Sequence, residues 1–245
     1  MAGSSRGAML EALERVIREY DSPGRIARVI DHTLLSPGSG LEKALQVVED
    51  VGKYGFHCAM LSPYHVVKVQ EAARNLGVKL CSVIGFPSGF PPLAAKRAEL
   101  ENIASIVDEV DIVANIQALI AGDSGIVEDE LTDLVEVAKR QGVRVVKVIV
   151  EAPLLDDNTL ALAVKTVASA RADYVKTSTG VYSKGGDPMT VLRVSHLASQ
   201  YGLKVKAAGG IRTGIDALLA LASGADRIGT SSGPRVIESF KRLIA

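Results

Sequence analysis

The chain has 245 residues, 47% of them hydrophobic, with 28 basic and 28 acidic side chains and a formal net charge of zero. That length admits one large α/β barrel or two ordinary domains. A balanced charge argues against a broad electrostatic grip on nucleic acid or on an anionic membrane surface, while a local phosphate site stays open.

Met-Ala-Gly-Ser-Ser-Arg-Gly at the N-terminus lacks the apolar core of a signal peptide, and no run reaches the length of a membrane span. The expected location is the cytosol. Cys58 and Cys81 lie in apolar runs, so two buried thiols are expected rather than a disulfide.

In chain order, Leu10, Leu13, Val16, Ile17 and Tyr20 have helical spacing over 8–20, and Asp21-Ser22-Pro23-Gly24 ends that helix. The helix is expected to cap the barrel bottom, with a subunit interface as the alternative. Strand patterns follow near 27–33, 56–61, 79–84, 109–115, 143–150, 173–178, 204–208 and 226–230. Helical patterns fill 41–53, 64–76, 92–107, 125–141, 157–171, 188–201, 214–223 and 234–244. Eight βα units in this length predict a (β/α)8 TIM barrel with one extra N-terminal helix. We expect a single domain over 1–245, with 1–24 as a helical extension and 25–245 as the barrel. The rival is an open doubly wound sheet, which a missing Gly-x-Gly-x-x-Gly after the first strand weakens.

A strand alternates its side chains between two faces. Val175, Val205, Val146, Val148, Val150, Ile112 and Ala114 suit the face that meets helices. The opposite face then carries Asp111, Lys147, Lys176 and Lys206 on four consecutive strands, and Asp31 with Thr33 on the first. One charged residue in a strand is ordinarily an end effect. Four on neighbouring inward faces would cost several kcal/mol per unpaired ion, so the set reads as an active site.

A lysine amine is a nucleophile only when neutral, and its ordinary pKa is about 10.4. A second cation and desolvation both favour the neutral amine, which can attack a carbonyl to form a Schiff base. A nearby aspartate with water can then move protons at the adjacent carbon. The combination suits aldol cleavage or condensation through an enamine. Separately, Gly209-Gly210 follows the seventh strand, and Gly229-Thr230-Ser231-Ser232-Gly233 follows the eighth. Barrels often bind phosphate through the loops there. His32, His57, His65 and His196 show no ligand spacing, so no metal is expected. His32 and His57 are expected to pack near strand ends, and His65 and His196 to lie on helix surfaces.

Seven segments resemble the deoxyribose-phosphate aldolase family: Ile-Asp-His-Thr-Leu-Leu (30–35), Val-Ile-Gly-Phe-Pro-Ser-Gly (83–89), Glu-Val-Asp-Ile-Val-Ala-Asn-Ile (109–116), Val-Lys-Val-Ile-Val-Glu (146–151), Tyr-Val-Lys-Thr-Ser-Thr-Gly (174–180), Val-Lys-Ala-Ala-Gly-Gly-Ile-Arg (205–212) and Arg-Ile-Gly-Thr-Ser-Ser-Gly (227–233). The resemblance runs from about residue 26 to the C-terminus. It implies reversible, cofactor-free class I cleavage of 2-deoxy-D-ribose 5-phosphate to D-glyceraldehyde 3-phosphate and acetaldehyde. It implies Lys176 as Schiff-base nucleophile, Lys206 as the neighbour that lowers its pKa, and Asp111 as the proton carrier working with water. It places phosphate at Gly180, Gly209, Gly210, Gly229, Ser231 and Ser232. Asp31, Thr33, Lys147 and Thr179 are expected to support the pocket, and the chain to form a homo-oligomer, a dimer or a tetramer. Alternatives are a Schiff-base aldolase for another phosphorylated carbonyl compound, and a barrel that binds a sugar phosphate without turning it over.

The sequence departs from the family pattern at Val181, where some relatives carry a phosphate-binding lysine. Lys184 is the candidate substitute. The chain ends at Leu243-Ile244-Ala245, without the terminal tyrosine of some relatives.

Overall fold

A computed structural model describes residues 2–244. Eight parallel strands close on themselves in sequence order: β1 (Ile30–Leu34), β2 (Cys58–Leu61), β3 (Leu80–Ile84), β4 (Glu109–Val113), β5 (Val145–Ile149), β6 (Tyr174–Lys176), β7 (Lys204–Ala208) and β8 (Arg227–Thr230). The expected (β/α)8 barrel is the observed fold. A barrel leaves no free sheet edge, so the backbone amides of each strand find partners on both sides.

The main helices outside the barrel are α3 (Leu41–Tyr54), α4 (Pro63–Asn75), α5 (Leu93–Ile103), α7 (Ser124–Arg140), α8 (Asp157–Ser169), α9 (Pro188–Ser199), α10 (Gly214–Ala222) and α11 (Gly233–Ile244), with the short α6 (Ile116–Ala121) after β4. Local sequence starts several of them. Asp156 accepts from the Thr159 amide, Asp187 from those of Met189 and Thr190, and Thr213 forms a capping box with Asp216. The outward valines and Ile112 pack against these helices in one continuous apolar layer. Their burial carries the fold's main driving force, at roughly 25 cal/mol per Å2 of apolar surface.

Three local expectations change. First, after α1 (Ala2–Glu19), which lies along α10, an unexpected short helix, α2 (Pro23–Ala27), leads into β1 against α11. Pro23 suits the first turn of a helix, so the Asp21–Gly24 turn restarts helix after the break. Second, His65 is buried, with its ring Nδ1 3.1 Å from the Ser62 hydroxyl, because α4 turns that face toward the sheet. Third, Cys58 and Cys81 are paired in a disulfide. They project inward from neighbouring strands, and a Cα separation of 6.3 Å lies within bridging range. Residue counting could not show that adjacency.

β5 and β6 are shorter than their apolar runs. β6 stops at Lys176, because the Ser178 hydroxyl donates to the Ala208 carbonyl and accepts from the Gly180 and Gly185 amides, turning the chain. β5 stops at Ile149, and two residues later Glu151 adopts left-handed backbone.

Candidate active site

Strand register sets the site. Asp111 pairs with Lys147 across β4 and β5, Lys176 with Lys206 across β6 and β7, and Lys206 with Arg227 across β7 and β8. Their inward side chains meet on the barrel axis. Asp111 Oδ2 accepts from Lys176 Nζ at 2.8 Å and from Lys206 Nζ at 2.7 Å, while Oδ1 accepts from Lys147 Nζ at 3.1 Å. Lys206 also stands 2.5 Å from Asp31 Oδ2, and Lys147 2.6 Å from Glu109 Oε2. Arg227 donates to Asp31 Oδ1 at 3.0 Å and lies 3.6 Å from Glu109 Oε2. At the N-terminal end of the barrel, His57 Nε2 is 2.7 Å from the other Glu109 oxygen.

Three carboxylates, Asp31, Glu109 and Asp111, therefore face four cations, Lys147, Lys176, Lys206 and Arg227. Fully ionised, the set carries one surplus positive charge. It becomes neutral when a single lysine gives up its proton. All seven are buried, so that surplus is poorly screened.

Lys176 is the member placed to give it up. Burial drives its pKa down, Asp111 opposes the shift, and Lys206 adds to it, leaving a value of about 8. Lys147 goes the other way. Burial alone would lower it, but Asp111, Asp31 and Glu109 together hold it above its ordinary value. Burial alone would raise the Asp111 carboxyl, yet Lys147, Lys176 and Lys206 hold it well below the usual carboxylate range. Asp31 is likewise held down by Lys206, Lys147 and Arg227 against its burial. Asp111 shares its charge among three ammonium groups, so each receives only part of its stabilisation. Lys176 has that one carboxylate within ion-pairing distance, whereas Lys147 has three.

Above this network, at the C-terminal ends of the strands, opens a cavity of about 330 Å3. Of the four interior cations, Lys176 is the one on its wall; Lys147, Lys206 and Arg227 lie beneath. Thr33, Thr179, Gly180, Gly209, Gly210, Gly229 and Ser231 also line it. Asp31, Asp111 and Lys147 belong to the buried network instead. Ser232 sits one step outside, its amide donating to the Thr230 hydroxyl at 2.9 Å. Gly209 has φ 93, and a Cβ there would lie 2.7 Å from the Ser178 hydroxyl, so the β7 loop can cross the β6 loop only without a side chain.

Lys184 does not line this cavity; its stem lies over Gly210, and with Asp187 and Asp216 it lines an adjoining cleft that shares Gly209 and Gly210 with the cavity. The second cationic side chain at the cavity wall is Arg212, which is exposed and enters no ion pair among the described residues. Sequence reasoning did not single out Arg212, Arg227 or Glu109. Glu109 was within reach of it, since it precedes Asp111 by two on the same strand. Arg227 needed the barrel's closure, which sets β8 beside β1 and Arg227 against Asp31. No described helix is long and apolar enough to cross a membrane.

No family model matches the chain. Curated relatives do match at nearly full length. A deoxyribose-phosphate aldolase of Aeropyrum pernix is 48% identical over 242 residues, covering 98% of this chain and 99% of the relative. One from Thermococcus gammatolerans is 40% identical over 222 residues, covering 88% and 96%. Among solved structures, the tetrameric deoxyribose phosphate aldolase of Aeropyrum pernix superposes with a TM-score of 0.90 at 48% identity, over 95% of this chain and 97% of that one.

Proposed function

The chain belongs to the deoxyribose-phosphate aldolase family, and from that premise we propose that it reversibly cleaves 2-deoxy-D-ribose 5-phosphate to D-glyceraldehyde 3-phosphate and acetaldehyde, with Lys176 as the Schiff-base nucleophile. The observation that carries the assignment of Lys176 is its position. It is the interior lysine on the cavity wall, and its pKa is depressed to about 8. A tenth or so of such a lysine is neutral at pH 7, against less than a thousandth at its ordinary value.

The neutral amine adds to the C1 aldehyde of the open-chain sugar, and loss of water leaves a protonated imine. Removal of the C3 hydroxyl proton lets the C2–C3 bond break. Its electrons move into the iminium to give an enamine, and glyceraldehyde 3-phosphate departs. Protonation of the enamine at C2 and hydrolysis release acetaldehyde and regenerate the amine. Asp111, working with water, carries the protons, and its contacts with both Lys176 and Lys206 support that role. Lys206 is the cation that keeps Lys176 poised. Lys147 and Asp31 hold Lys206 and Asp111 in place. Thr33 offers its hydroxyl to the sugar, a use supported by its position on the cavity wall, while Thr179 shapes the lip beside Gly180. Gly180, Gly209, Gly210, Gly229, Ser231 and Ser232 form the phosphate end. Arg212 supplies positive charge there, where Val181 has none to offer.

The reading includes a single barrel domain with an N-terminal helical extension, and a homo-oligomer, supported by the tetramer described for the Aeropyrum pernix relative. It also includes a cytosolic location, where phosphorylated sugars are retained by their charge.

Treatment with acetaldehyde and borohydride, followed by peptide mass mapping, tests the mechanism. The reduced adduct is expected on Lys176. An adduct on Lys206 instead, or none at all, would reject it. Lys176→Arg is expected to fold and to lose turnover, because it keeps bulk and charge without the nucleophile.

A further inference from the structure

Glu151 stands outside the charge network yet is completely buried, and it enters no ion pair among the described residues. Its backbone is left-handed, with φ 51 and ψ 51, a region that disfavours residues with a side chain. The chain is pinned on either side of it: the Val150 amide donates to the Lys176 carbonyl at 3.2 Å, and the Ala152 amide to the Thr177 carbonyl at 2.7 Å. A glycine would occupy that backbone with less strain, so the side chain is where the reason for a glutamate lies.

Among the described residues, every hydrogen bond to that side chain comes from the loop after β6. Oε2 accepts from the Thr179 amide at 2.9 Å and from the Thr179 hydroxyl at 2.7 Å, while Oε1 accepts from the Ser183 hydroxyl. The Thr179 hydroxyl in turn accepts from the Val181 amide at 3.1 Å. One carboxylate thus ties both limbs of the Thr179–Ser183 loop. That loop places Thr179, Gly180 and Val181 on the cavity wall. The Lys176 amine, three residues before it, is held through Asp111 on β4 and not by the Glu151 carboxylate.

We propose that Glu151 is a positioning residue for substrate selection, fixing the Thr179–Ser183 loop so that the cavity prefers a phosphorylated sugar over the same sugar without phosphate. The inference rests on the aldolase reading above and on its phosphate end. The nucleophile and the phosphate wall have separate supports. Releasing the loop should therefore weaken recognition of the phosphate while leaving the chemistry at Lys176 intact.

The test compares kcat and KM for 2-deoxyribose 5-phosphate and for 2-deoxyribose in the full-length protein and in Glu151→Gly, Glu151→Gln and Ser183→Ala. Glu151→Gly removes the carboxylate while easing the backbone, and Ser183→Ala removes one loop donor without touching the buried position. Glu151→Gly is expected to lower the ratio of kcat/KM values, phosphorylated over unphosphorylated, by about tenfold, the weight of one charge-assisted hydrogen bond. The loss should appear as a higher KM for the phosphorylated sugar, with activity on 2-deoxyribose held within about twofold. Glu151→Gln and Ser183→Ala should move the ratio in the same direction by less. An unchanged ratio in Glu151→Gly, or an equal fall on both substrates, would overturn the proposal. A wild-type protein that cleaves neither sugar, or does not prefer the phosphorylated one, would instead overturn the aldolase reading beneath it.

Discussion

Replacing Lys206 by Met removes the cation beside Lys176 and keeps most of its bulk. Lys176 and Lys206 donate to the same Asp111 oxygen, at 2.8 and 2.7 Å, so their nitrogens can be no farther apart than those two distances laid end to end. At ~5 Å and an effective dielectric of ~20, their repulsion is about 3 kcal/mol, or about two pKa units. Without Lys206, the Lys176 pKa should climb from about 8 toward its ordinary value near 10.5. The neutral fraction at pH 7 would fall by about a hundredfold. The assay is kcat/KM for 2-deoxyribose 5-phosphate from pH 6 to 10, with borohydride trapping of acetaldehyde over the same range. The acid limb of both profiles should move about two units toward alkaline pH, with much of the activity recovered above pH 9. Lys206→Arg, which keeps the charge, should leave the limb nearly in place. An acid limb that does not move in Lys206→Met, or that moves toward acid, would refute the charge argument.

Glu109→Gln removes an anion from the interior set, so the acid limb should shift down by about one pH unit, opposite to Lys206→Met; a shift in the same direction as Lys206→Met would contradict the charge balance. Glu109 itself should contribute acid-sensitive stability, because His57 and Lys147 overcome its burial and hold its pKa at about 2, below the ordinary 4.5. That contribution, about 3 kcal/mol, is present above pH 4.5 and lost as pH falls toward 2, and urea unfolding midpoints in Glu109→Gln should show a correspondingly weaker acid dependence over that window. Gly209→Ala forces a left-handed backbone and a clash with Ser178, and is expected to cost about 1–3 kcal/mol in urea unfolding and to raise KM for the phosphorylated sugar. Lys96→Met leaves the Glu130 carboxylate buried without its partner at 2.6 Å and frees the Val113 carbonyl at the end of β4; a loss of about 3–5 kcal/mol in urea unfolding is expected.

Period-two alternation with eight βα repeats was enough to determine the barrel and the inward direction of Asp111, Lys147, Lys176 and Lys206, because the pleat of a strand is a local property. Two glycine-rich turns after the last two strands marked one end of the cavity for the same reason. Resemblance of the motifs around Lys176 and Lys206 supplied the choice between the two lysines, which alternation leaves open. Tertiary structure decided what depends on which strands become neighbours. Closure of β8 onto β1 brought Arg227 to Asp31, and the β2–β3 pairing brought Cys58 to Cys81. Depth along the barrel axis separated Lys176, on the cavity wall, from Lys206 beneath it. Glu151 follows Lys147 by four residues, an even step that alternation assigns to the same face, as one more polar residue at a strand end. Only the fold shows a buried carboxylate in strained backbone holding the next loop, because its partners, Thr179 and Ser183, lie on a different strand's loop some thirty residues away. Charge balance is likewise a property of the assembled interior, since no stretch of the chain contains the three anions and four cations that share it.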